Sequence, residues 1–108
     1  MNNGNTASEK FIAATAVDYA EKAVVSKTIY KTGSGNITLF AFDKGEGLAE
    51  HTTPHQALLQ VLDGKAEINI GGQTHSVQAG ECIFLPAGIP HALQAAERFK
   101  MMLTMIKS

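Results

Sequence analysis

The chain has 108 residues, 44% of them hydrophobic and 18% charged, with a formal net charge of −1. That balance argues against nucleic acid and anionic lipid surfaces as main partners, since neither is drawn to a protein without excess positive charge. The length fits one domain, which buries roughly two-thirds of the surface of its unfolded chain and so holds a core without staples.

A lone cysteine, Cys82, cannot form an intrachain disulfide. Within an apolar run it reads as a small buried hydrophobe. The apolar patch at residues 11–14 is too short for a signal peptide, and no run reaches the length of a membrane span. The expectation is a cytoplasmic protein whose partner is a small molecule.

Residues 1–22 read as a flexible N-terminal segment, with residues 1–9 rich in Asn, Gly, Ser and Thr and predicted to fray. Thr15-Ala16-Val17-Asp18 has the form of a capping box, which predicts one or two helical turns through Glu21. The domain proper is expected over residues 23–108. From Ala23 the period drops towards two and β-branched residues become frequent. Gly33-Ser34-Gly35 turns the chain into residues 36–43, where Ile37, Leu39, Phe40 and Phe42 are apolar on both parities. Neither face of that strand is expected to meet water.

A strand over residues 48–52 leads to Pro54, which interrupts pairing at a bulge or an edge. Residues 56–62 form the next strand, closed by Asp63-Gly64, a two-residue hairpin signal. Lys65, Glu67 and Asn69 then alternate with Ala66, Ile68 and Ile70 before a second hairpin at Gly71-Gly72. A short polar strand follows over residues 73–78. Cys82-Ile83-Phe84-Leu85 reads as a strand buried on both faces. Pro86, Gly88 and Pro90 force an ordered turn that ends at His91, and two further strands cover residues 92–95 and 98–107. Some eight short strands with regular glycine turns predict an all-β sandwich or barrel.

The spacing of Gly80, Pro86, Gly88 and His91 resembles the second signature motif of the cupin superfamily. Gly47, His51 and Gly64 fit the frame of the first. The likeness covers roughly residues 36–106 and implies a jelly roll, a double-stranded β-helix barrel, often dimeric, so a homodimer is expected. It also implies a metal held by three histidines and a glutamate. Carried over residue by residue, only His51 and His91 remain. The second histidine of the motif is Thr53, the glutamate is Ala57, and an asparagine usual after the second motif is Ala95.

His55 enters from the residues themselves, sharing strand parity with His51. An extended backbone would part their Cα atoms by roughly 13 Å, too far for one ion, but a bend at Pro54 would bring the rings together. Three arrangements stay open. His51, His55 and His91 hold a divalent transition metal (Zn, Fe, Mn, Ni or Cu); two histidines hold one completed by water or ligand; or no metal binds. His75, in a polar strand, and Gln60, facing away from Leu59 and Val61, are left aside. Interior candidates are Leu39 or Phe40, Leu59, Val61, Met101 and Leu103, a lining suited to a small, mostly apolar molecule. Two functions follow: binding of such a molecule at a degenerate histidine site, or metal-dependent oxygenase or isomerase chemistry on three histidines.

Overall fold

A computed structural model describes residues 8–107; the fraying expected of residues 1–7 lies outside them. After a single 3-10 turn at Ala13–Thr15 come eight strands: β1 (Val24–Thr32), β2 (Gly35–Phe42), β3 (Gly47–His51), β4 (Gln56–Ile70), β5 (Gln73–Gln78), β6 (Cys82–Leu85), β7 (His91–Gln94) and β8 (Phe99–Ile106). All pairings are antiparallel. One sheet runs β1-β2-β8-β4-β6 and a second runs β5-β4-β7-β3. The strand β4 belongs to both, which curls the two sheets into one shell.

This sharing replaces the hairpin expected at Asp63-Gly64. β4 continues through both residues for 15 residues, pairing with β8 up to Gly64 and with β5 from Lys65. A register shift lies between Val61 and Asp63, and Gly64 has φ +74°. The left-handed glycine serves here as a kink within a strand that changes partners, as bulges and strand glycines do at barrel corners.

The core sits between the sheets. Leu59, Val61, Ile68, Phe42 and Phe99 are fully buried, and Met101 nearly so. Phe42 and Phe99 face each other across the β2–β8 pair with rings stacked at 4.4 Å. Of the interior candidates, Leu59, Val61 and Met101 lie in this cluster, and Phe40 and Leu103 pack against it.

Leu39 points the other way. On the outer face of the first sheet, Val17, Ile29, Leu39 and Ala41 form a second small core with Ala13, Ala16 and Tyr19. The apolar double parity of β2 is therefore met partly by the N-terminal segment of the same chain. Residues from Ala13 onward pack against this sheet as a strap. The Lys100 ammonium donates to the Ala14 carbonyl at 2.6 Å, and the Tyr19 hydroxyl donates to Asp63 at 2.6 Å. Asp43 closes the strap. It accepts the amides of Lys22 (2.7 Å) and Lys44 (2.9 Å) and the Arg98 guanidinium (2.8 Å). The Arg98 bond, followed by those amides, pulls its carboxyl down to about 2.

Two further expectations are corrected. No helix follows Thr15: the 3-10 turn ends there, and the Thr15 hydroxyl donates back to the Ile12 carbonyl at 3.2 Å instead of capping forward. β6 is not buried on both faces. Cys82 is exposed and Phe84 is 58% exposed, because β6 is the outermost strand of its sheet and the N-terminal strap covers the far side.

Candidate functional site

β3 ends at His51 and β7 begins at His91, and the two are partners across the sheet. Their rings stand edge to face with centroids 4.4 Å apart. A strand alternates its faces residue by residue, so His51, three positions beyond the inward Leu48, should point outward. It does not. Leu48 pairs with Leu93 and His51 with His91, so three steps on β3 match two on β7. This bulge restores His51 to the inward parity that His91 shares with Leu93.

The turn before His91 is tied on two sides. The Gly88 amide donates to the Thr53 carbonyl at 2.8 Å, and the Gly71 amide donates to the Pro90 carbonyl at 2.9 Å. The loop before β4 and the hairpin after it thus hold the turn and fix where β7 starts.

Each ring is oriented by a carbonyl. His51 Nδ1 lies 2.9 Å from the Ala49 oxygen, and His91 Nδ1 lies 3.4 Å from that of Ile89. A carbonyl only accepts, so both bonds require a proton on Nδ1. In a neutral ring that tautomer leaves the Nε2 lone pair free, the state in which an imidazole binds a metal or accepts a hydrogen bond. His91 is buried at 4% exposure, whereas His51 is open to solvent. Burial, and then the neighbouring His51, push the His91 pKa below its ordinary value, against a smaller upward pull from the Ile89 carbonyl. His91 is therefore neutral at pH 7.

His55 is half-buried in the loop before β4, its amide donating to the Thr53 hydroxyl at 3.2 Å. Among the described residues no group of three or more His, Cys, Asp or Glu side chains is placed to hold a metal ion. The structure brings His51 and His91 together and does not complete a triad with His55. Ala57, at the glutamate position of the motif, is a core residue at 2% exposure. Thr53 takes up structure instead of a metal: its hydroxyl and its carbonyl both accept backbone amides. The sequence reading placed Thr53 only at the position of the motif's second histidine and missed this part. The signal was its place between two motif positions beside Pro54. Two imidazoles fall short of the three or four donors that a resident first-row ion takes.

Two hollows lie elsewhere. A hollow of about 260 Å³ opens on the outer face of the second sheet, and another of about 220 Å³ lies among Pro54, Gln56, Ala87 and Ile106. Neither is lined by His51 or His91.

Residues 38–107 match the family model described as "Cupin domain". A conserved protein of unknown function from Streptococcus pyogenes is 36% identical, with a TM-score of 0.88 over 94% of this chain and 89% of the other. A cupin superfamily protein from Desulfitobacterium hafniense is 25% identical, with a TM-score of 0.88 over 94% and 93%. A cupin 2 conserved barrel domain protein from Leptotrichia buccalis is 40% identical, with a TM-score of 0.81 over 84% of this chain but 44% of that one. No curated protein matches. With a curled antiparallel shell, Gly80, Pro86, Gly88 and His91 of the second motif in place and Gly47, His51 and Gly64 of the first, the chain belongs to the cupin family.

Proposed function

We propose that this cupin binds a small, mostly apolar molecule at the mouth of its β shell, anchored by the Nε2 atoms of His51 and His91. The observation that carries the reading is the pairing of the two rings with both Nδ1 atoms engaged by carbonyls. Such a pair spends a buried, neutral imidazole on something other than packing. The deep interior is already filled by Leu59, Val61, Phe99 and Met101, which favours the mouth over the centre of the barrel. Where a divalent transition metal takes part, the pair supplies two ligands and water or the bound molecule supplies the rest. The oxygenase or isomerase reading needs a third protein donor, and no third His, Cys, Asp or Glu stands with the pair among the described residues.

The test is nitrogen-15 NMR of the imidazoles in protein purified without a histidine tag, titrated first with Zn²⁺ and then with a panel of small apolar fragments. Specific binding shifts the Nε2 resonances of His51 and His91 together and is lost in His91→Gln. Fragments that bind with both rings unmoved would sink the proposal.

A homodimer belongs to the same reading. Tyr30, Phe84 and Ile106 are each at least 44% exposed. Strand registers place them on the outer face of the first sheet, outside the strap, as a second copy would require. Light scattering at micromolar concentration decides it, and a strictly monomeric mass counts against it.

A further inference from the structure

The hollow on the outer face of the second sheet is separate from the histidine pair, and of the core residues only Leu93 and its partner Leu48 border it. On β4, Glu67 and Asn69 flank the buried Ile68; on β7, Ala92 and Gln94 flank the buried Leu93. All four therefore face away from the interior. Glu67 stands opposite Gln94, and Asn69 stands between Ala92 and Thr74. Ala92 and the neighbouring Ala49 are small where a longer side chain would fill the surface, and the result is a hollow of about 260 Å³.

Its polar groups are unequally used. Asn69 is spent: its amide nitrogen donates to the Thr74 hydroxyl and its oxygen accepts the Gly72 amide, both at 3.1 Å. The Gln94 amide nitrogen donates to the Gly45 carbonyl at 3.3 Å. What remains is acceptor capacity: the Gln94 oxygen and the half-buried carboxylate of Glu67, which forms no ion pair among the described residues. No Lys or Arg lines the hollow.

We propose that this hollow is a second ligand site, selective for a primary alkylammonium group. Glu67 and Gln94 take the three N–H donors of the ammonium, and Ala49 and Ala92 take the alkyl stem. The volume lies just under the roughly 300 Å³ at which drug-sized ligand sites begin, so the ligand is small. The ammonium comes from a free alkylamine or from a lysine side chain.

The test titrates the full chain with n-butylammonium, n-butanol and N-acetyl-lysine methylamide, followed by the backbone amides in ¹H–¹⁵N NMR. Expected are saturable millimolar shifts confined to Ala49, Glu67, Asn69, Thr74, Ala92 and Gln94, with butanol at least tenfold weaker. Tighter binding of the lysine derivative than of butylammonium identifies a lysine as the source, and the reverse identifies a free amine. Glu67→Gln is expected to weaken binding at least tenfold with the rest of the spectrum unmoved, and Ala92→Leu to abolish it by filling the hollow. Scattered shifts, butanol binding as well as the ammonium, or affinity that survives Glu67→Gln would each overturn the proposal.

Discussion

Gly64→Ala tests the account of β4 most directly, and Gly88→Ala is its control. Both glycines hold positive φ, +74° and +77°. A Cβ at Gly88 meets nothing within 4 Å. A Cβ at Gly64 would run into the Arg98 carbonyl oxygen and stand 3.0 Å from the Arg98 carbonyl carbon and from Phe99 Cα, all backbone where the facing strand β8 begins. Left-handed geometry costs about 1–2 kcal/mol at either position. Overpacking against backbone adds about 1–3 kcal/mol at Gly64 alone. The expected losses are therefore about 1–2 kcal/mol for Gly88→Ala and about 2–5 kcal/mol for Gly64→Ala. In a domain worth about 5–15 kcal/mol in total, the larger loss is severe. At about 4 °C per kcal/mol for a chain of this size, Tm falls by about 4–8 °C in one case and about 8–20 °C in the other. Urea denaturation, with equal slopes confirming two-state unfolding, measures both. If Asp63-Gly64 were a solvent-exposed hairpin turn, the two variants would lose the same amount. A difference below about 1 kcal/mol would refute the through-running β4.

Three other outcomes are expected. Phe99→Ala removes one ring of the Phe42–Phe99 stack at a fully buried position and should cost about 3–5 kcal/mol by urea denaturation. His91, its pKa lowered by burial and then by His51, binds its proton less readily folded than unfolded. Stability is therefore undiminished above the ordinary pKa of 6.5 and falls as pH drops below it. The gap in unfolding midpoint between the wild type and His91→Gln should change between pH 7.5 and pH 5; a constant gap contradicts this. Asp43 is the opposite case, its folded pKa depressed from 3.8 to about 2. Asp43→Asn should lower Tm at neutral pH, with a deficit that shrinks as pH falls from 3.8 towards 2.

How much was legible depends on whether the cause was local. The strand over residues 73–78 and the turn from Pro86 to Pro90 came through because alternation and the φ preferences of Gly and Pro act within a few residues. The Asp63-Gly64 pair misled because a left-handed glycine serves a hairpin and a strand kink equally well; only the partner strand, β8 before it and β5 after, tells them apart. Cys82 and Phe84 misled because apolar composition reports what a residue tolerates, not whether another layer covers it.

The sequence by itself determined a small all-β cupin with His91 at the end of a stiff turn, and with Thr53 and Ala57 where the motif has its second histidine and its glutamate. The motif likeness already put His51 and His91 in one site; tertiary structure decided how they meet, because the bulge between Leu48 and His51 is defined by its register against β7. It alone decided that the N-terminal segment covers Leu39 and Ala41, since that contact joins residues far apart in the chain. The reason is common to both: face and cover are properties of pairs of segments, and a single segment carries no record of its partner.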